Sequence, residues 1–352
     1  MSRAQSAIAA PLIAWQQRAG RHHLPWQTHR TPYRVWVSEI MLQQTQVATV
    51  VPYYERFLQR FPDSASLAVA PLDAVLHLWS GLGYYARARN LHRAAQRIHA
   101  EFGGELPVSF EALASLPGIG RSTAGAILAL SLGARHPILD GNVRRVLSRY
   151  FAVEGAVEER GTLARLWELA ERCTPHTQLT EYTQAIMDLG ATLCLRRAPR
   201  CDQCPLSAGC SARRSGRQHE LPARRRRRAR PTRRAFMVLA QRRDGGVWLE
   251  RRPEHGVWGG LWCLPEFASA AAARAWVGST VGGARAAPAA LPVVTHAFTH
   301  FDLEITPLLV RCAGAALVMD AAAALWYNVR APVPVGLPAP IARLLEGLPD
   351  EA

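Results

Sequence analysis

The sequence predicts two folded domains in series, an all-α one followed by an α+β one. Three observations carry this. From about Pro11 to Tyr182 apolar residues recur at spacings of three and four, and β-branched alternation is scarce. Four cysteines cluster between Cys194 and Cys210 at the end of that region. Beyond an arginine-rich stretch the pattern changes to short alternating runs separated by Gly-containing turns. A length of 352 residues suits two domains of ordinary size, and 49% hydrophobic residues is ample for packed cores.

The elements follow in order. Ala7–Trp15 resembles the apolar part of a signal peptide in hydropathy, but Pro11 and Gln16-Gln17 fit an amphipathic helix better. Turns are expected at Pro62-Asp63, Gly81-x-Gly83, Gly103-Gly104 and Pro117-Gly118. The helical domain is expected over 1–212. Arg213–Arg234, with Arg224–Arg228 and two prolines, reads as a solvated linker because like charges and proline cannot bury a core. In the domain expected over 235–352, Phe236–Ala240 and Val247–Glu250 form a hairpin around Asp244-Gly245-Gly246. Pro292–His296 and Leu303–Ile305 are further strands, and Ala271–Val277 and Pro340–Leu348 are helices.

Formal net charge is +15, and all 42 basic residues are arginine. The sign and size favour a polyanionic partner, although an arginine-biased proteome would give the same count. Without lysine no side-chain amine exists to form a Schiff base. No run of eighteen apolar residues occurs, so neither a transmembrane helix nor a membrane partner is expected, and a cytoplasmic location follows.

Leu116–Gly120 is a Leu-Pro-Gly-Ile-Gly turn opening into a helix-forming run, Arg121–Leu132. Gly118 and Gly120 let backbone amides approach a ligand closely, and a helix N-terminus beside Arg121 suits an anion. A tight helix–helix connector would look the same. Twenty residues on, Asp140 stands where an N-cap belongs, ahead of Val143, Val146, Leu147 and Tyr150. The helix dipole there favours its ionised form. Glu39, flanked by Trp36, Ile40 and Met41, is expected to have a raised pKa suited to a proton donor. The bland readings are a surface glutamate and a simple cap. Together the two carboxyls suit cleavage of a glycosidic bond through an oxocarbenium-like state.

The cysteines fall as Cys194-x6-Cys201-x2-Cys204-x5-Cys210. Two disulfides in a long cytosolic chain are improbable, which leaves a metal, either a four-thiolate zinc or an iron–sulfur cluster. Cys173, Cys263 and Cys312 read as core thiols.

The turn, helix and aspartate together resemble the helix–hairpin–helix Gly/Pro…Asp element of the DNA glycosylase superfamily, where hairpin amides hold a phosphate and the aspartate serves base excision. The cysteine spacing resembles that of the endonuclease III branch and implies one 4Fe–4S cluster. Leu24-Pro25-Trp26, Thr31-Pro32-Tyr33, Trp36–Val47 and Gly81–Asn90 resemble the MutY-type adenine DNA glycosylases, as do Trp258–Trp262 and Phe298–Phe301. The fold implied is an all-α helix–hairpin–helix glycosylase domain with an iron–sulfur loop, joined to an α+β Nudix-like domain.

The resemblance implies a monomer acting on double-stranded DNA that contains adenine opposite 8-oxoguanine or guanine. Glu39 would protonate adenine N7 and Asp140 would stabilise the C1′ cation. Gln43, Gln44 and Thr45 would probe the gap and the opposite base, and Tyr84 would be the intercalating wedge. Leu24, Trp26 and Gln184 match positions around the flipped adenine, Arg144 faces the DNA backbone, and Phe298, Thr299 and His300 contact 8-oxoguanine. Ser122 stands where lyases of the superfamily carry lysine, which implies hydrolysis without strand cleavage. Ala270–Arg274 lacks the carboxylates of a magnesium-dependent Nudix hydrolase, so that domain should bind rather than hydrolyse. A glycosylase for another base, such as thymine opposite guanine, and a non-catalytic DNA-binding protein held by zinc are the competing readings.

Overall fold

The computed structural model describes residues 3–223, 229–281, 287–312 and 323–348; the expected linker core Arg224–Arg228 lies outside the described residues. In chain order the helices are α1 (Arg3–Ala19), α2 (Pro25–Thr28), α3 (Pro32–Leu42), α4 (Val47–Arg60), α5 (Ser64–Ala68), α6 (Leu72–Trp79), α7 (Ala86–Phe102), α8 (Phe110–Ser115), α9 (Arg121–Leu132), α10 (Gly141–Tyr150), α11 (Arg160–Cys173), α12 (Leu179–Thr192) and α13 (Ser211–Arg214). There follow β1 (Thr232–Arg242), β2 (Val247–Arg251), β3 (Trp262–Cys263), β4 (Glu266–Phe267), α14 (Ala270–Thr280), β5 (Ala289–Ala290), β6 (Val294–Ala297), β7 (Asp302–Cys312), β8 (Ala324–Tyr327) and α15 (Ala339–Glu346). They form two compact units, one of residues 1–69 and 90–227, the other of 70–89 and 228–352.

In the first unit, local chemistry starts the helices. Thr31, Asp63, Ser109 and Asp140 each accept a backbone N–H with their side chains at a helix start. Trp36, Tyr54, Phe57, Phe61, Ile40 and Met41 are fully buried. α3 packs on α4 and α9, while α12 touches α1, α9 and α10. The Leu139–Ser122 hydrogen bond and the charge of Asp140 acting on Glu39 bring the start of α9, the start of α10 and α3 to one region.

The second unit is built on an eight-stranded sheet among the described residues, with β3-β2-β1-β7-β5 as its main order. The expected hairpin forms: β1 and β2 run antiparallel, Gly245 takes φ +84°, and the Asp244 carboxylate accepts from Gly246 N–H at 2.9 Å. Sequence patterns did not reveal the main pairing, a parallel one between β1 and β7 from Thr232↔Asp302 to Arg242↔Cys312. Parallel partners lie far apart in sequence, and strands covered on both faces lose the alternation that marks a half-exposed sheet. Val238, Ala240, Trp248, Leu308 and Val310 form one core with Ala273 and Val277 of α14.

Two features depart from the expected boundaries. Residues 70–89, expected within 1–212, pack with the sheet: Trp262 Nε1 donates to Asp73 at 3.2 Å, Tyr85 OH to Leu337 O at 3.0 Å, and Leu337 N–H to Ser80 Oγ at 3.2 Å. The expected linker Arg213–Arg234 is also folded at both ends. Leu221 is buried and Arg217 bridges Glu154 at 2.8 Å, while Thr232–Arg234 begins β1. Leucine and paired arginine supply anchors that a reading of like charge alone overlooks.

Candidate active site and nucleic-acid interface

Glu39 belongs to a helix buried on nearly every side: Tyr33, Val35, Trp36, Val37, Ser38, Ile40 and Met41 are all buried. Glu39 itself keeps partial solvent access. Burial, and then the charge of Asp140, push its carboxyl up to about 8. At neutral pH it therefore carries a proton, as a general acid must. Desolvation outweighs every other effect here.

Asp140 caps α10, accepting from Val143 N–H at 2.7 Å and from the Asn142 amide at 3.3 Å. The expectation that a helix N-terminus alone holds this carboxyl low needs correcting. Its pKa is raised, because burial outweighs the hydrogen bonds from Val143 and Asn142 and the charge of Arg145. Those donors nevertheless favour its carboxylate, whereas only burial and the charge of Asp140 act on Glu39 among the described residues. The pair is thus divided into a protonated member and a stabilised, ionisable one.

Ser122, in the first turn of α9, accepts from Leu139 N–H at 2.9 Å, and Arg144 Nε donates to Leu139 O at 3.2 Å. Leu139, the residue before Asp140, is thereby held at both its N–H and its carbonyl. Arg144, expected at the DNA backbone, already spends one donor inside the protein. In the hairpin, Leu116 and Ile119 are buried while Gly118 and Gly120 are exposed. Gly118 takes φ +79°, and a Cβ there would lie 2.9 Å from Asn90 Cβ. Around Gly120 a Cβ would meet nothing within 4 Å, so the side from which an anion would approach α9 is open.

Gln43, Gln44 and Thr45 follow α3, with Gln43 as its C-cap. Gln44 is exposed at φ +59°, a left-handed conformation uncommon for a residue with a side chain, and Thr45 Oγ1 donates to Gln43 O at 3.4 Å. Leu24 precedes α2 and is half-buried, whereas Trp26 is buried edge-on against Tyr54 at 5.3 Å. Gln184 is buried, and its amide donates to Asp188 at 3.0 Å. Asp188, wholly buried, is paired with Arg21 at 2.6 Å and also accepts from Arg21 N–H at 2.9 Å. This network ties the segment carrying Leu24 and Trp26 to α12. Sequence reasoning missed Arg21 and Asp188; the signal was an aspartate inside an otherwise apolar helical run.

The four clustered cysteines line one cavity, together with Arg149, Tyr150, Leu189, Leu193 and Leu206. Arg149 donates to Cys194 Sγ at 3.3 Å and to Leu195 O at 2.7 Å. Burial, with the neighbouring thiols, pushes Cys204 up to about 11. No three His, Cys, Asp or Glu side chains among the described residues are grouped as one metal ion would require. Four thiols around one cavity are a donor set suited to a thiolate-ligated metal group. From this loop a chain of contacts leads back to the site: Arg145 donates to Cys194 O at 2.7 Å and to Asn142 Oδ1 at 2.8 Å, and Asn142 donates to Asp140.

The second unit carries the other predicted residues. Tyr84 is 48% exposed at φ +49° in the Gly81–Tyr85 turn. Phe298–Phe301 is the turn between β6 and β7, closed by Ala297↔Asp302 pairing and by Phe298 N–H to Phe301 O at 2.9 Å. Thr299 and His300 are exposed at its tip. Phe298 stacks on Phe301 at 4.6 Å and meets Trp258 at 5.4 Å. The first turn of α14 holds no acidic residue.

Residues 37–172 match the HhH-GPD superfamily base excision DNA repair protein family, and residues 236–347 match the NUDIX domain. The adenine DNA glycosylase of Buchnera aphidicola subsp. Acyrthosiphon pisum is 37% identical over 336 residues, 95% of each chain. The chain belongs to the adenine DNA glycosylase family. The adenine DNA glycosylase of Homo sapiens is 41% identical over 227 residues, 62% of this chain and 41% of that protein. Among solved structures, a thermostable thymine-DNA glycosylase superposes with a TM-score of 0.55 at 26% identity, covering 60% of this chain and 98% of its own. An endonuclease III–DNA complex shares the helical fold, with a TM-score of 0.51 at 21% identity over 61% of this chain and 99% of its own. No helix among the described residues is long and apolar enough to cross a membrane.

Proposed function

We propose that this protein hydrolyses the N-glycosidic bond of adenine paired with 8-oxoguanine or guanine, and less readily with cytosine, in double-stranded DNA. The observation that carries the reading is the Glu39–Asp140 pair, a carboxyl raised to about 8 beside one held by hydrogen-bond donors at a helix start. With the adenine flipped from the stack, Glu39 donates its proton to N7. The C1′–N9 bond then breaks and its electron pair leaves with the neutral base. The Asp140 carboxylate stabilises the sugar cation until water adds to C1′ and loses a proton.

The product is an abasic site in an intact strand. No lysine is present to form a Schiff base, and the Ser122 hydroxyl is engaged in holding Leu139. The exposed amides at Gly118 and Gly120 take a DNA phosphate, and Arg144 adds charge. Leu24, Trp26 and Gln184 line the adenine's surroundings, Gln43, Gln44 and Thr45 probe the gap, and Tyr84 fills the stack. Phe298, Thr299 and His300 read the opposite 8-oxoguanine. Cys194, Cys201, Cys204 and Cys210 would hold one 4Fe–4S cluster, in a loop that Arg145 and Arg149 already tie to α10. The protein acts as a monomer on cytoplasmic, nucleoid DNA.

Single-turnover base release from duplexes carrying A opposite 8-oxoG, A opposite G, A opposite C and T opposite G tests the reading. Adenine release in that order of rate, with no thymine released, is expected. Preferential release of thymine would replace this substrate with another mismatched base. No release of any base would leave a DNA-binding protein.

A further inference from the structure

Tyr84 stands in an unusual support. Its backbone is left-handed, as are Gly81 (φ +94°) and Gly83 (φ +76°), yet it carries an aromatic ring and is half exposed. A large side chain at positive φ persists only where its surroundings over-determine it. Three residues on, Arg87 is only 8% exposed. Its guanidinium carbon lies 5.4 Å from the Tyr84 ring centroid and 5.4 Å from that of Trp79. The same group donates to Gly83 O at 3.1 Å and Leu82 O at 3.4 Å. Trp79 Nε1 also donates to Gly83 O at 3.1 Å, and Arg87 N–H to Tyr84 O at 2.9 Å.

We infer that Arg87 is a positioning residue that presents the Tyr84 ring for insertion into the base stack. The inference rests on the reading of Tyr84 as the wedge. A flat guanidinium suits this work: it lies over two rings while its donors close on the two carbonyls that shape the turn. Burial lowers its pKa only to about 10, so it stays charged at neutral pH. A ring held in its inserting conformation before contact loses less freedom when it enters DNA.

The test uses full-length protein and a duplex with A opposite 8-oxoG, with 2-aminopurine next to the adenine to report stack opening. Arg87→Met, Tyr84→Ala and the double variant are compared for the rate of fluorescence rise and for single-turnover base release. Each single variant should slow both by roughly tenfold, the scale of one lost stacking contact. The double variant should be no slower than the slower single, because both changes remove one device. Wild-type opening in Arg87→Met, or losses that multiply, would overturn the inference. A Tyr84→Ala variant with wild-type opening and release would instead overturn the wedge reading. If Arg87→Met fails to fold, Arg87→Lys keeps the charge and removes the flat face, and should slow opening severalfold. Wild-type opening by folded Arg87→Lys would equally overturn the inference.

Discussion

The hydroxyl of Ser122 accepts a 2.9 Å hydrogen bond from the N–H of Leu139, seventeen residues away and immediately before Asp140. It fastens the start of the hairpin helix to the peptide that presents the aspartate. Ser122→Ala should destabilise the protein by about 1 kcal/mol, a buried N–H having lost its acceptor. It should slow base release severalfold while leaving duplex binding intact, as thermal melting, single-turnover rates and binding isotherms would show. Ser122→Lys supplies an amine at this position and should gain strand-nicking activity that borohydride traps. The wild-type protein should give little trapped complex.

Asp140→Asn keeps a fair cap, since asparagine also accepts at an N-cap, but removes the negative charge from the sugar cation. Base release should fall by roughly 10²- to 10³-fold, as when one oriented electrostatic partner of a transition state is lost. Asn142→Ala breaks the contact that links Asp140 to Arg145 and should give a smaller loss in the same assay.

Much of this site was legible in the sequence because its chemistry is local. Glu39 among Trp36, Ile40 and Met41, Asp140 ahead of a helical run, and the two hairpin glycines depend on neighbours within a few residues. What escaped was long-range. Asp188 meets Arg21 across 167 residues, β1 pairs in parallel with β7, and residues 70–89 join the sheet unit. No periodicity encodes such partners. The pKa of Asp140 escaped for a related reason: a helix end is visible in sequence, but the burial that outweighs it is not.

Cys204→Ala removes one of four thiols around a shared cavity. Visible absorption and bound iron should be lost together, with increased protease sensitivity over 194–210. Because Arg145 joins Cys194 O to Asn142, base release should also fall. A colourless wild-type protein carrying stoichiometric zinc would reject the iron–sulfur assignment.

Lesion reading is best tested by point changes in the β6–β7 turn rather than by removing the sheet unit. Deleting residues 228–352 would strip Asp73, Ser80 and Tyr85 of their partners. Replacing Thr299 and His300 with alanine removes only exposed tip groups. Preference for 8-oxoG over G opposite adenine should shrink by roughly tenfold, a base contact being worth ~1–3 kcal/mol. The ratio of binding constants at one salt concentration gives the answer.

The pKa of Glu39 has a consequence for stability. Its folded value, about 8, lies above the unfolded value near 4.5. Its contribution is therefore fully present below the unfolded pKa and is lost as pH rises through the folded one. Relative to wild type, Glu39→Gln should become progressively more stable from about pH 5 to about pH 8 and then level off, because the wild type must then hold an ionised carboxylate in a desolvating position. Melting temperatures across that range would show it.

The most direct measurement is the pH dependence of single-turnover adenine release by wild-type protein and by Glu39→Gln, with enzyme in excess over A:8-oxoG duplex. A protonated Glu39 acting as proton donor requires a rate that holds through neutral pH and falls above about 8, and a Glu39→Gln variant that binds the duplex but releases almost no adenine. A rate that climbs through pH 8, or a variant with near wild-type release, would contradict the assignment of Glu39 as the acid.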